Sequence, residues 1–322
     1  MNCQSSGAGS AFSDTAAFSG CLKAPFEHAS MNLQDIALDS ERHYYRPVKA
    51  WLLAASPSQG QGMRKIFNGR RSKALMSGET CIVDSSKVQV ESMTNLGLQR
   101  EDNEDRFLVN ALGDGRVLLV IADGMGGHAA GEVAAQLAVD SFEGFSPPNA
   151  DIAVELGRRM EEAHNRILKH SQSDIYLRGM GTTLTALFIS GASAFWAHVG
   201  DTRIYHFRKG SLTQITDDHT FPGRLLRNGE ITREQARFHP YGNVLTRCVG
   251  CERHQSDSGQ FHLSPGDLVL LSSDGLHDLI GDTEIADILS MEIPIRDKLD
   301  LMISQCLKAG GRDNITGVLA SV

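Results

Sequence analysis

The sequence has few cysteines, no long apolar run and no excess of positive charge, and each shortage excludes a class of protein. Six cysteines in 322 residues are too few and too irregularly spaced for a disulfide scaffold. The apolar run at 117–122 covers six residues, whereas a membrane-spanning helix needs about 20. A net charge of −8 argues against a general nucleic-acid binder, which needs a basic surface. We therefore expect a soluble protein with no nucleic-acid partner and no membrane span.

The amino-terminal part also lacks the basic and then apolar layout of a secretory signal, because Asp14 precedes the first basic residue, Lys23. The expected location is therefore the reducing cytoplasm. Residues 1–86 are rich in Ser and Gly and have a low apolar density, which predicts a largely mobile extension. From residue 87 onward the patterns become those of a packed domain. The predicted division is an extension at 1–86 and a folded domain at 87–322.

The folded domain alternates groups of strands with pairs of helices. The runs at 106–110 and 116–122 flank a Gly-Asp-Gly turn, which is typical of a hairpin. Other strands are predicted at 87–91, 182–189, 194–199, 203–207, 211–215, 259–263, 267–272 and 314–322, and helices at 129–142, 151–169, 283–289 and 295–308, with short helices within 221–238. Short strand connections favour antiparallel pairing, so we expect an α+β sandwich of two packed sheets with helix pairs outside.

Four aspartates fall at the ends of predicted strands, and two of them are followed directly by glycine. They are Asp105, Asp123, Asp274 and Asp313. An Asp-Gly pair after a strand is usually only a turn, but the ends of sheets are also where side chains from distant segments converge. Clustered carboxylates repel one another unless a cation lies between them, and oxygen-only ligands select Mg²⁺ or Mn²⁺ over zinc. Two such ions can activate a water and stabilise a displacement at phosphorus.

Six motifs occur in order along the domain. They are Arg100-Glu101-Asp102-Asn103-Glu104-Asp105, Asp123-Gly124-Met125-Gly126-Gly127-His128, Gly181-Thr182-Thr183, Val199-Gly200-Asp201-Thr202-Arg203, Ser273-Asp274-Gly275-Leu276 and Arg312-Asp313-Asn314. Together they resemble the bacterial branch of the metal-dependent protein Ser/Thr phosphatases, the type 2C or PPM family, over about residues 88–322. The resemblance implies a four-layer α/β/β/α sandwich of two mainly antiparallel sheets, and a protein-serine/threonine phosphatase activity.

The resemblance also implies a centre of two Mn²⁺ or Mg²⁺ ions. In it, Asp123 bridges both ions and the Gly124 carbonyl binds one of them. Asp274 and Asp313 hold the other ion, and Asp105 contacts the pair directly or through a bound water. Asp105 and Asp123 thereby belong to the implied catalytic machinery as well.

By the same resemblance, Asp201 shares a third ion with Asp274, as in bacterial relatives, and Arg100 binds the substrate phosphate. A planar guanidinium offers paired donors to two phosphoryl oxygens. The implied reaction is direct attack of a metal-bound hydroxide on phosphoserine or phosphothreonine, without a phosphoenzyme. Met125 stands where eukaryotic members place a histidine, and it cannot donate a proton. The expected acid is therefore a metal-bound water, and His128 is expected to have a supporting role.

The implied partners are phosphorylated proteins and an opposing bacterial Ser/Thr kinase, and the expected state is a monomer. Residues 217–242 correspond to the family's variable flap over the site, where specificity is expected together with Arg203 and Arg224. Two alternatives stay open. One is a catalytically inactive relative that binds phosphoproteins, and the other is an enzyme for small phosphate esters.

Two further features invite a functional interpretation. Cys248 and Cys251 are spaced as in zinc or redox sites, but no second cysteine pair is near, so packing is the expected role of Cys248. His198 lies inside an apolar strand and is expected to be a core histidine with satisfied hydrogen bonds.

Overall fold

In a computed structural model of the protein, the structure describes residues 79–83, 88–126, 129–146 and 151–322. The predicted extension thus lies outside the described residues except at its end. There, residues that the sequence assigns to the extension form β1 (Glu79–Val83), which pairs antiparallel with β2 (Val88–Asn95).

Twelve strands and seven α-helices form in the described part of the chain. The other strands are β3 (Asp105–Gly113), β4 (Arg116–Met125), β5 (Gly181–Thr182), β6 (Leu184–Ser190), β7 (Ser193–Val199), β8 (Arg203–Arg208), β9 (Ser211–Gln214), β10 (Asp257–His262), β11 (Leu268–Ser272) and β12 (Ile315–Ser321). The helices are α1 (Ala129–Asp140), α2 (Ile152–Ser173), α3 (Phe221–Arg227), α4 (Arg233–Arg237), α5 (Asp274–His277), α6 (Asp282–Ser290) and α7 (Ile295–Lys308). None of these helices is both long and apolar enough to cross a membrane.

The strands pair antiparallel in two sheets. The first has the order β1-β2-β12-β11-β8-β9, and the second has the order β10-β7-β6-β4-β3, with β5 beside the end of β4. One buried cluster fills the space between the sheets. Helices α1 and α2 pack on the outer face of the second sheet, and α5, α6 and α7 pack on the first. The predicted four-layer sandwich is confirmed.

The apolar run at 117–122 shows how the sequence specifies these layers. Its odd-numbered residues belong to the cluster between the sheets, and its even-numbered residues belong to the cluster under the helices. Successive side chains of a strand point to opposite faces, and a strand covered on both faces is apolar throughout. Burial of each large apolar side chain contributes roughly 1.5–3 kcal/mol relative to exposure.

The predicted hairpin joins β3 and β4 and sets the position of two acidic residues. Asp114 and Gly115 both have positive φ, at 55° and 70°, as the tight turns of hairpins require. The register of the two strands, with an irregularity between Ala111 and Gly113, places Asp105 opposite Asp123. Two carboxylates that are 18 residues apart in sequence thus become neighbours.

One strand and one cysteine pair also differ from the sequence predictions. The strand predicted at 182–189 is divided at Thr183, because Thr182 pairs with Gly124 of β4 and with Val249 rather than continuing β6. The residue Cys248 is 2% exposed, which agrees with the expected packing role, and its sulfur atom lies next to that of Cys251, a pairing that the sequence did not predict.

Candidate metal centre

One end of the two sheets collects carboxylates from five segments of the chain. Asp105 begins β3 and lies opposite Asp123 near the end of β4. Asp274 lies two residues after the end of β11 as the first residue of α5, and Asp313 lies two residues before the start of β12. Asp201 lies in the turn between β7 and β8. The structure therefore brings together all five aspartates that the sequence singled out.

Only one of the two carboxylate oxygens of Asp105 accepts hydrogen bonds from the described residues. Its Oδ2 accepts hydrogen bonds from Ser273 Oγ at 2.8 Å and from Thr316 Oγ1 at 2.6 Å. Its Oδ1 is buried and has no hydrogen-bond partner. Burial raises the pKa of Asp105, although the two hydroxyl donors oppose the rise. A buried carboxylate oxygen without a partner is costly, so Oδ1 is a free acceptor for a cation.

The backbone around Asp123 is fixed by two threonines. The Asp123 N–H donates to Thr183 Oγ1 at 2.9 Å, and the Asp123 carbonyl accepts from Thr183 N at 2.9 Å and from Thr182 Oγ1 at 2.8 Å. The next residue, Gly124, is tightly enclosed, since a β-carbon there would lie 2.2 Å from the carbonyl oxygen of Gly131. Only glycine allows the backbone of β4 to approach α1 this closely.

Negative charge accumulates at this end of the sheets. Burial raises the pKa of Asp123 well above its ordinary value, and the charges of Asp105 and Asp274 raise it further. Burial also raises the pKa of Asp274, with the charges of Asp201 and Asp313 as the next causes. A raised pKa means that the charged form of the carboxyl group is destabilised. A bound cation would remove this destabilisation by balancing the negative charges.

Asp201 belongs to the same electrostatic group. Asp201 is 8% exposed. Burial is the main cause that raises its pKa, and the negative charges of Asp218 and Asp278 raise it further. Asp278 lies four residues after Asp274, one helical turn further along the chain. Sequence reasoning did not single it out, although this spacing places both residues on one side of a helix.

Arg100 and Asp313 form the salt bridge of the centre. Arg100 Nη2 donates to Asp313 Oδ2 at 2.6 Å, and the two side chains are 47% and 25% exposed. The hydrogen bond that Arg100 donates to Asp313 raises the pKa of Arg100, although burial opposes the rise. The guanidinium that the sequence assigned to phosphate binding thus lies at the rim of the carboxylate cluster.

Asn314 fixes the loop that carries Arg100. Its Nδ2 donates to the carbonyls of Leu96 and Asp102, both at 3.0 Å, and its Oδ1 accepts from Glu104 N at 2.9 Å. The side chain of Glu104 leaves Oε1 buried and without a partner. Asn314 therefore determines the shape of residues 96–104 beside the carboxylates.

The donor set fits a hard divalent cation. It consists of carboxylate and carbonyl oxygens, which Mg²⁺ and Mn²⁺ prefer, and it includes the unpartnered Oδ1 of Asp105. Within residues 88–126, 129–146 and 151–322, no group of three or more His, Cys, Asp or Glu side chains is already arranged to hold one metal ion. In this part of the chain the carboxylates therefore lie near one another but do not surround a common point as a closed set of ligands.

The fold and this constellation define a class of protein, the type 2C protein phosphatases. The sequence model of the family described as "Protein phosphatase 2C" matches residues 99–320 of the chain. The chain belongs to the protein phosphatase 2C family and is a protein-serine/threonine phosphatase.

The chain is similar to several bacterial phosphatases. It is 36% identical to protein phosphatase PhpP of Streptococcus pneumoniae over 241 residues, which cover 73% of this chain and 98% of PhpP. The crystal structure of the Mycobacterium tuberculosis serine/threonine phosphatase PstP/Ppp superposes with a TM-score of 0.68 at 35% identity, covering 73% and 98% of the two chains. A structure of the catalytic domain of PstP in complex with two manganese ions superposes with a TM-score of 0.66 at 35% identity, covering 73% and 97%.

Proposed function

We propose that this chain uses two divalent cations, Mn²⁺ or Mg²⁺, to hydrolyse phosphoserine and phosphothreonine in proteins, and that it opposes a bacterial Ser/Thr kinase. The observation that carries the proposal is the cluster of buried and half-buried carboxylates that raise one another's pKa values. Such a cluster destabilises the fold unless positive charge balances it. The two manganese ions bound to the PstP catalytic domain support the same assignment.

The proposed ligands are oxygens on the strand ends. They are the side chains of Asp105, Asp123, Asp274 and Asp313 and the carbonyl of Gly124, with Asp201 and Asp274 as ligands of a third ion. When bound, the cations lower the pKa of a water and neutralise the charge that develops on the phosphoryl oxygens.

Arg100 is the proposed phosphate-binding residue. Its hydrogen bond to Asp313 uses one of the five N–H donors of a guanidinium. That bond orients the planar group, and other donors stay available for two phosphoryl oxygens. Arg100 then binds and orients the phosphate, and Asp105 and Asp123 are held in place by the hydroxyl and backbone contacts described above.

The side chain after Gly124 does not suit a general acid. His128, for which a supporting role is expected, lies outside the described residues. Met125 has a thioether, which has no proton to donate. We therefore assign the proton that reaches the leaving serine or threonine oxygen to a water in the site rather than to a protein side chain.

The test is the dephosphorylation of a phosphothreonine peptide with Mn²⁺, with Mg²⁺ and with a chelator. We expect turnover that the chelator abolishes and that Asp123→Asn reduces at least about 10³-fold, with the far-ultraviolet circular dichroism unchanged. Calorimetric titration with Mn²⁺ should show about two ions bound to the core site of the wild type, with a third where the Asp201 site is filled, and fewer to Asp123→Asn. Full activity of Asp123→Asn would contradict the assignment.

The remaining alternative substrate class is small phosphate esters. If the chain acts on phosphoproteins, the phosphothreonine peptide should have a far higher kcat/KM than a simple aryl phosphate at saturating Mn²⁺. The opposite preference would favour the small-ester alternative. Opposition to a kinase is tested by incubating the chain with an autophosphorylated bacterial Ser/Thr kinase and measuring the loss of phosphothreonine.

A further inference from the structure

The turn that carries Asp201 is clamped by a histidine at the base of the flap (residues 217–242). His219 N donates to the Gly200 carbonyl at 2.7 Å, and Gly200 N donates back to His219 Nδ1 at 3.1 Å. His219 is fully buried. Both polar groups of the Gly200 backbone are thus satisfied by one flap residue.

The hydrogen bonds fix the tautomer of His219. Because Nδ1 accepts from Gly200, the ring proton lies on Nε2, which donates to Asp257 Oδ2 at 2.9 Å. Arg247 Nη1 in turn donates to Asp257 Oδ1 at 2.7 Å. Burial lowers the pKa of His219, although the Asp257 hydrogen bond opposes this. The neutral ring therefore presents an acceptor to Gly200.

The clamp extends to Asp123 through a close backbone contact. Gly200 has φ = 112°, and a β-carbon there would lie 2.5 Å from the Cβ of Thr183. Thr183 is the residue whose N–H and hydroxyl bind the backbone of Asp123. His219 thus holds Gly200 in contact with Thr183, the residue that binds the backbone of Asp123.

A second histidine joins the other side of the turn to the flap. Thr202 Oγ1 is 2.6 Å from Thr185 Oγ1, which is 2.7 Å from His198 Nδ1, and His198 Nε2 is 3.2 Å from the carbonyl of Asp217. Full burial lowers the pKa of His198 to about 3. These contacts confirm the prediction that His198 is a core histidine with satisfied hydrogen bonds.

The flap residue between the two contacts is also engaged. Asp218 accepts from Arg203 Nε at 2.9 Å and from Arg203 Nη2 at 2.6 Å. Arg203, which the sequence placed at the substrate approach, is therefore committed to this bidentate pair. Three consecutive flap residues are thus linked to the chain around Asp201: His219 directly to Gly200, Asp218 directly to Arg203, and Asp217 to Thr202 only through His198 and Thr185.

We propose that His219 is a positioning residue for the phosphatase reaction. Its hydrogen bonds to Gly200 hold the base of the flap and the Asp201 turn together as one unit, in contact with Thr183. The inference rests on the proposed function of the metal centre. A leucine of similar size would fill the same space but would leave the Gly200 N–H buried without an acceptor, which is a costly state. The Nδ1 atom, rather than the volume of the ring, is the functional group.

The test compares two amide replacements of His219. The amide of His219→Asn reaches the Nδ1 position and can still accept from Gly200, whereas the amide of His219→Gln reaches the Nε2 position and keeps only the Asp257 contact. We expect His219→Gln to speed amide hydrogen exchange in residues 199–202 about tenfold and to lower kcat about tenfold with KM changed less than about twofold. For His219→Asn we expect both changes to stay within about threefold.

Equal exchange rates and equal kcat values in His219→Asn and His219→Gln would overturn the proposal, because a role in packing predicts no difference in this direction. If neither variant folds, the substitution Asp257→Asn provides the test, because the Asp257 side chain is 39% exposed. Loss of the Asp257 charge should speed amide hydrogen exchange in residues 199–202 about threefold. Unchanged exchange in these residues would overturn the proposal. If the wild type does not hydrolyse a phosphothreonine peptide, the proposed function fails, whereas the exchange comparison still decides whether the clamp exists.

Discussion

An aspartate lies at each end of β11, buried at the Asp267 end and half-buried at the Asp274 end, and the surroundings shift the pKa values of the two in opposite directions. Before the strand, Asp267 accepts hydrogen bonds from Arg208 Nη2 at 2.6 Å, His206 Nε2 at 2.9 Å and Ser264 N at 2.8 Å. Burial acts to raise the pKa of Asp267, but these donors outweigh it and hold the pKa below its ordinary value. After the strand, burial and neighbouring carboxylates raise the pKa of Asp274.

The comparison separates a structural carboxylate from a functional one. At the Asp267 end the chain itself supplies the positive charge, through Arg208, so the carboxylate needs no bound ligand to balance it. At the Asp274 end the carboxylates outnumber the arginine that faces them, and the balance has to come from a ligand. Functional sites of this kind lower the stability of the protein in the absence of their ligand.

The largest expected effect comes from a neutral replacement at the unbalanced end. Asp274→Asn should lower kcat/KM at least about 10³-fold on a phosphothreonine peptide, because it removes a proposed ligand. It should leave the melting temperature of the metal-free protein unchanged or higher, because it relieves charge repulsion. Differential scanning calorimetry with a chelator present measures the second quantity. A large loss of stability would show that Asp274 is a structural residue.

The matched replacement at the balanced end should have the reverse outcome. Asp267→Asn removes the acceptor charge for Arg208 and His206 and should lower the free energy of unfolding by about 2 kcal/mol. Turnover should stay within about twofold of the wild type, since Asp267 lies at the other end of the strand from the site. Urea unfolding and the peptide assay measure the two effects. Loss of activity at full stability would remove the contrast between the two ends.

The pH dependence of this stabilisation sharpens the comparison. The pKa of Asp267 is lower in the folded state than its ordinary value of 3.8. Its contribution is therefore full well above that ordinary value and is lost as the pH falls through the folded-state pKa. The difference in unfolding free energy between the wild type and Asp267→Asn should be constant above about pH 5 and should shrink below about pH 4. A difference that grows on acidification would contradict the assignment.

The smallest expected effect concerns a charge pair that lies in neither end. Arg158 on α2 donates to Glu155 Oε1 at 2.7 Å, and the Arg158 side chain is 54% exposed. Arg158→Ala should leave the free energy of unfolding nearly unchanged, because water screens such pairs, and should leave turnover unchanged. A clear loss of stability in urea unfolding would mean that exposed pairs also matter here.

The predictable features and the missed ones differ in their physical origin. The strand-end aspartates and Arg100 lie in contiguous motifs, and the two-sheet sandwich follows from the local alternation of apolar residues. The support of Asp105 by Ser273 and Thr316 depends on which strands become neighbours, and local patterns do not state this. The same holds for the clamp of Gly200 by His219. Helix α5 has only four residues, too few for a helical period to appear in the sequence.

The central place of β12 has a consequence for synthesis. This strand lies between β2 and β11 in the first sheet, and it follows every other strand of the described chain. Asp313 and Asn314 enter the site directly ahead of it, and Asn314 fixes the loop of Arg100. A nascent chain that ends short of residue 315 therefore lacks the strand between β2 and β11, and we expect the first sheet and the site to be completed only after translation has passed β12.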